Sequence, residues 1–411
     1  MPTAQKPATI LFAFSFLASS SYVMMRALAV SLFLARIGPD SLAAALAVSA
    51  LVAAGASLST QAFMRKRSTA RCASISWLLM ALASCVLAVT VSPFHHSVWV
   101  LGGLFVLAEV RSCLGTMYAV SLSSESFSGS ESKHPFAVVS SGAPIAGIVV
   151  GLVLGFEASL VQAAPILFLI AMLDIVTAGL TWWSRPSLAD AKKKIAATHR
   201  HRRPRRRRSM LGSYRFRLSA LVALKIVALT LIAFQWKVEV AHHYGADEAA
   251  LMAFFALFYA CSDVLIVMLQ WLVSGRLLDR FGLGLALVGF PILAALVGLT
   301  LFVSPAGSAT LVVLTIGSGL SVLRRSIHDP ALTAAYAVLR PEVRRDTIVL
   351  VKGVIKPFAE AVTAVALIVS GAALLDGGLT VVWLGVVALW LGFAVGASRA
   401  YRSVLARMTA R

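Results

Sequence analysis

The sequence is short of charge. Only 13% of its 411 residues are Asp, Glu, Lys or Arg, against a usual share of about 25%. Acids are scarcer still: 17 Asp+Glu face 37 Lys+Arg, a formal net charge of +20. A chain that is 59% hydrophobic is not disordered, because disorder follows from too little apolar surface. An ordinary soluble domain is also disfavoured, since its apolar residues keep to one face of each element. Cysteine is rare. Cys72, Cys85, Cys113 and Cys261 stand at unrelated spacings, so neither a metal site nor a disulfide framework is legible. No G-x-x-x-x-G-K-[ST], H-E-x-x-H or G-x-S-x-G occurs, which leaves nucleotide hydrolysis, zinc proteolysis and serine hydrolysis without support. The expectation is a protein that is not an enzyme and needs no cofactor or metal.

Long apolar runs are what the sequence has instead. A helix crossing the hydrocarbon layer needs about 20 mostly apolar residues. Twelve such stretches occur, at 8–36, 41–63, 72–92, 97–122, 136–156, 159–183, 216–244, 248–274, 281–303, 306–327, 346–374 and 377–402. They are too long for barrel strands and lack period-two alternation. Lys6, the apolar Ile10–Ala18 and Ser19–Ser21 have the outline of a signal peptide. The run continues through Tyr22–Leu34, which makes a full span. The expected fold class is an all-α membrane protein with 12 transmembrane helices in two six-helix bundles.

The cations sort by segment. With both termini cytoplasmic, 30 of the 37 Lys+Arg fall in inside segments, only Arg36 falls outside, and six lie within spans. Such a bias is the positive-inside pattern. The segment 184–215 carries thirteen cations in or beside it, including Lys192–Lys194 and the run His199–Arg208. It divides the chain into an N-terminal bundle (1–183), a basic cytoplasmic linker and a C-terminal bundle (216–411). A linker of this kind touches anionic lipid, each cation contributing about 1 kcal/mol near the surface. Nucleic acid is not an expected partner. A monomer in a bacterial inner (plasma) membrane is expected.

The halves are weakly alike. Ile37-Gly-Pro-Asp-Ser-Leu-Ala-Ala-Ala-Leu46 joins spans 1 and 2, and Tyr244-Gly-Ala-Asp-Glu-Ala-Ala-Leu-Met-Ala253 joins spans 7 and 8. An offset of half the chain is what a parallel duplication predicts. Between spans 8 and 9 stands Gly275-Arg-Leu-Leu-Asp279-Arg280-Phe-Gly282. It resembles the loop signature of the major facilitator superfamily. The resemblance implies a gating loop in which Gly275 and Gly282 permit a tight turn and Asp279 and Arg280 make charge contacts. Phe234–Glu239, Gln270, Arg324-Arg-Ser-Ile-His-Asp-Pro330, Tyr336, Leu339–Arg344 and Lys352, with Tyr22–Gly38 in the first span, resemble the ATP/ADP carrier (nucleotide transporter) branch. That implies a facilitator fold and nucleotide exchange. After Arg26 the sequence departs from the branch: Ala27-Leu-Ala-Val-Ser31 stands where further charges are usual.

Charges inside spans cost about 2.5–3.5 kcal/mol each at mid-membrane on insertion scales, so they face other helices or a wet cavity. Arg26, with Tyr22 one turn away, is the first choice for an anion contact; the other reading is an ion pair with Asp263 or Glu109. Glu109 and Arg111 are two residues apart in span 4 and point to different faces. Lys356 and Glu360 lie on one stripe of span 11 and are read as substrate contact or mutual partners. Lys237 and Glu239 in span 7 read as an outer gate or an interfacial pair. Lys225 snorkels toward the cytoplasm. Asp263 and Glu109 are candidates for proton coupling, or for structural pairing with Arg; Asp174 is assigned to helix packing. Gly142, Gly147, Gly151 and Gly155 make a close-packing face on span 5.

The expected function is secondary active transport of a small anionic or zwitterionic solute, nucleotide-like or another organic anion, by alternating access. Arg26, Tyr22, Arg111, Lys356 and Lys237 would contact the solute. The alternatives are export of hydrophobic or cationic compounds, with the charges locked in ion pairs, and a non-transporting scaffold or receptor.

Overall fold

A computed structural model describes residues 2–127, 133–159, 162–185, 209–270, 275–303, 308–337, 339, 343, 347–348, 350–370 and 378–409. Most of the basic linker, including Lys192–Lys194 and His199–Arg208, lies outside the described residues. The described chain is helical, without a strand. Its helices are α1 (Pro2–Arg36), α2 (Leu42–Lys66), α3 (Thr69–Thr90), α4 (Val98–Ser126), α5 (Lys133–Phe156), α6 (Ala163–Trp183), α7 (Ser209–Tyr244), α8 (Glu248–Leu269), α9 (Gly275–Val303), α10 (Ser308–Leu323), α11 (Asp329–Ala337), α12 (Lys356–Ser370) and α13 (Gly378–Thr409). A π-helical turn, Arg324–His328, joins α10 to α11, and another, Val351–Ile355, leads into α12. Eleven described helical segments are long and apolar enough to cross a membrane. The twelfth expected span corresponds to the second π turn with α12. Its α-helical part is 15 residues, and it is not among those eleven. The chain is an integral membrane protein.

The turns follow from local chemistry. Gly38 and Gly245 adopt φ of 91° and 63°, the left-handed region open to glycine. At the first, the Ile37 and Gly38 amides both donate to the Phe33 carbonyl, at 2.9 and 3.2 Å, closing α1. At the second, the Asp247 carboxylate accepts the Ala250 amide at 2.9 Å and caps α8. The two sequence-alike junctions share the left-handed glycine.

Two compact units are present: Met1–Gly38, Val52–Arg205 and Tyr244–Val264 form the first, and Pro39–Leu51, Arg206–His243 and Leu265–Arg411 the second. In the first, α1 packs on α4, α5 and α6, and α3 on α4 and α6. Phe14 meets the buried Trp77 edge-on at 6.2 Å between centroids. The glycines of α5 let backbones approach. A Cβ at Gly142 would stand 2.8 Å from the Phe12 carbonyl of α1. One at Gly151 would stand 2.7 Å from the Ala256 carbonyl of α8, and at Gly147 it would overlap the Asp263 carboxylate. This face explains why most of α8 groups with the first unit, although it follows the linker in sequence.

In the second unit, α9 packs on α10 and α13. The Trp383 indole donates to the Ala228 carbonyl of α7 at 2.8 Å, and the Trp236 indole to the Thr315 hydroxyl of α10 at 3.1 Å. Leu79, Leu82, Val89, Leu299 and Phe302 are among the large apolar side chains left exposed. In a membrane protein such residues meet acyl chains.

Candidate functional site

Arg26 lies ten residues before the end of α1. At 1.5 Å per residue that is about 15 Å from the helix end, near the middle of a hydrocarbon layer about 30 Å thick. Arg26 as a residue is half-buried. One nitrogen, Nη1, donates to the Tyr22 hydroxyl at 3.0 Å, a contact set by the one-turn spacing. The guanidinium carbon stands 4.4 Å from the centroid of the Tyr259 ring of α8, within cation–π range. The carboxylate of Glu109, from α4, lies within electrostatic reach of both Arg26 and Tyr259. Among the described residues, no carboxylate comes within the 4.0 Å of an ion pair with Arg26. The expected alternative of an Arg26 pair with Asp263 or Glu109 is therefore not formed. The Tyr259 hydroxyl is buried and has no hydrogen-bond partner among them. The first unit thus brings together Arg26, Tyr22, Glu109 and Tyr259: one guanidinium with donors to spare, one carboxylate and two phenols.

Arg111 is elsewhere, and its expected role as a solute contact is corrected. It is fully buried. Its two terminal nitrogens bond the two oxygens of Asp174 on α6 at 2.5 and 2.6 Å. It also donates to the hydroxyls of Ser84 at 2.5 Å and Ser21 at 3.3 Å, and to the Met80 carbonyl at 3.3 Å. Because residues i and i+2 point to different faces of a helix, Glu109 faces Arg26 while Arg111 faces the core between α3 and α6. Asp174 packs helices, as expected, and does so as a bidentate partner.

Asp263 is buried, with its carboxylate against Gly147 of α5. It lies one turn beyond Tyr259 on α8. In the second unit, Lys356 and Glu360 approach to 3.6 Å on one face of α12, the mutual pairing that the sequence allowed. Lys237 is buried on α7; Glu239 is half-buried and two residues away, so the two face differently. Lys225 does not snorkel. It is buried, and its Nζ bonds the Asp329 carboxylate at 2.8 Å. The Lys352 side chain lies outside the described residues.

The segment expected as a gating loop is corrected in its backbone. Gly275, Asp279, Arg280 and Gly282 stand inside α9, which begins at Gly275. Arg276, Leu277 and Leu278 are good helix formers, and no proline interrupts them. Tyr259, His328 and Asp329 were not selected from the sequence. An aromatic residue in an apolar span carries no polar signal, and the last two were visible only as part of Arg324–Pro330.

No protein-family model matches the chain, and no curated protein matches it. Solved structures do. A bacterial homologue of the iron transporter ferroportin, in an inward-facing state, is 17% identical with a TM-score of 0.64 over 96% of this chain and 99% of that one. The peptide transporter POT in complex with sulfate is 15% identical with a TM-score of 0.66, over 96% and 95%. The nucleoside transporter NupG is 12% identical with a TM-score of 0.55, over 98% and 99%. At these identities the likeness is one of architecture, and the chain has the fold of the major facilitator transporters.

Proposed function

We propose that the protein is a secondary transporter of a small solute bearing a carboxylate or phosphate, working by alternating access of its two sequence halves. The observation that carries this reading is Arg26. It is a mid-span guanidinium with no carboxylate partner among the described residues, held by one phenol hydroxyl and one ring face. A charge left that way inside a membrane is costly, and an anionic solute removes the cost by supplying the counter-ion. Guanidinium bonds carboxylates and phosphates through two parallel N–H groups, and the Tyr22 hydroxyl occupies one N–H of Arg26. The orphaned Tyr259 hydroxyl offers a further hydrogen bond beside it. The carboxylate of Glu109, within electrostatic reach of Arg26, would receive an ammonium group, so a zwitterion suits the same four residues.

The nucleotide reading of the sequence is one arm of the test. The positive-inside bias supports cytoplasmic termini in a bacterial inner membrane. The basic linker then lies in the cytoplasm, against anionic lipid. The experiment is uptake of labelled nucleotides, organic acids, amino acids and short peptides into proteoliposomes of the purified full chain. Movement of at least one carboxylate- or phosphate-bearing solute above protein-free vesicles is expected. Transport of hydrophobic cations alone would favour the exporter reading, and no movement of any solute would favour a scaffold.

A further inference from the structure

The second unit holds a polar centre that the solute site does not use. Helix α10 leaves α-geometry at Arg324–His328 and resumes it at Asp329. Single π turns of this kind concentrate at functional sites. His328 is wholly buried, its ring 5.2 Å from that of Phe290 on α9 and 6.0 Å from that of Trp390 on α13. Neither ring nitrogen has a hydrogen-bond partner among the described residues. Its Nδ1 stands 3.7 Å from the Asp329 carboxylate, too far for a hydrogen bond and one small movement from making it. The same oxygen of Asp329 accepts from Lys225 Nζ at 2.8 Å. The Asp329 side chain keeps 43% of its surface exposed while that of His328 keeps none.

We infer that His328 and Asp329 form a proton-binding site, in which Asp329 exchanges Lys225 for His328 when the imidazole is protonated. A buried polar group without a partner is destabilising, and phenylalanine would fill the slot between Phe290 and Trp390 without that cost. The imidazole is satisfied in the other state of the switch. A proton from water reaches the exposed carboxylate and passes to Nδ1. The resulting imidazolium then competes with the Lys225 ammonium for Asp329. The step is reversible, returns its proton to water and makes no covalent bond.

The surrounding groups are named by element. Lys225 and Tyr214 come from α7, Arg324 from the π turn and Tyr336 from α11. Lys356 of α12, with its partner Glu360, lies within electrostatic reach of Lys225. Phe290 from α9 and Trp390 from α13 bring no titratable group. As a coupling device for transport the site rests on the function proposed above; as a proton-binding site it does not.

The test therefore needs no solute. Intrinsic tryptophan fluorescence of the full chain in lipid nanodiscs is titrated from pH 2.5 to 9, because an imidazolium beside Trp390 quenches it. A sigmoidal step is expected in the wild type and its loss in His328→Gln. In Asp329→Asn the midpoint is expected to move by about one pH unit toward acid, since a neighbouring carboxylate favours the imidazolium. A wild type without a step, or a step unchanged in His328→Gln, overturns the inference. Should His328→Gln fail to fold, an unmoved midpoint in Asp329→Asn overturns it equally.

Discussion

The ring of Tyr259 lies 4.4 Å from the guanidinium carbon of Arg26, and its own hydroxyl is buried without a hydrogen-bond partner among the described residues. The two halves of this side chain have separate tasks. In the proposed site the ring face steadies the cation, and the hydroxyl would bond the solute. Cation–π contacts contribute about 0.5–2 kcal/mol. Tyr259→Phe keeps the ring and is expected to weaken solute affinity by about tenfold, the value of one hydrogen bond. Tyr259→Ala removes both and is expected to cost more. The ratio of KM values for the two variants in proteoliposome uptake checks this order.

Arg111 and Asp174 are expected to matter for folding and not for solute recognition. Removing one partner leaves a buried charge uncompensated, at a cost of about 3–5 kcal/mol. Asp174→Asn should therefore lower the thermal midpoint in detergent sharply. The paired replacement Arg111→Met with Asp174→Leu removes both charges and should recover most of the loss. Transport by the refolded pair should keep its KM within about twofold.

The α5 glycine face gives a prediction with a built-in control. A Cβ at Gly151 would meet the Ala256 carbonyl at 2.7 Å and the Ala260 methyl at 2.9 Å. Overpacking of this kind costs about 1–3 kcal/mol, and backbone cannot turn aside as a flexible side chain does. Gly151→Ala is expected to lower the melting temperature. Gly102→Ala on α4, where nothing lies within 4 Å, is expected to leave it unchanged or slightly raised.

Arg36 bonds both oxygens of Glu248, at 2.6 and 2.8 Å, and also reaches the His95 carbonyl at 3.2 Å. The pair ties the end of α1 to the start of α8. Both side chains keep some exposure, 18% and 39%, so the pair is worth under about 1 kcal/mol. A double-mutant cycle with Arg36→Ala and Glu248→Ala should give a coupling of that size. High salt should shrink it further.

Span positions were legible because twenty apolar residues in a row have few other uses. Arg26 was legible for the same reason: one cation in a long apolar run is conspicuous. Its surroundings were not. Tyr259 is one aromatic among several in α8, and only folding places it over the guanidinium. Arg111 looked equivalent to Arg26 because its partner, Asp174, is 63 residues away in sequence. The α5 glycine face was visible as a spacing, but the spacing does not name α1 and α8 as its neighbours. The Gly275–Gly282 segment carries a loop signature on residues that also form helix, and the helix extends through it. The π turn at Arg324–His328 shifts backbone register by one residue, which no side-chain pattern reports.

The central claim is that Arg26 supplies the charge that holds the solute. The most direct measurement is initial-rate uptake of a transported solute by wild type, Arg26→Lys and Arg26→Ala in the same proteoliposome preparation, with surface amount and orientation matched. A loss of at least about a hundredfold in kcat/KM is expected for Arg26→Ala, the cost of about 3 kcal/mol for a charge-assisted hydrogen-bond pair. Arg26→Lys should recover part of that, because ammonium keeps the charge without the planar fork. Wild-type kcat/KM in Arg26→Ala for a carboxylate or phosphate solute would contradict it.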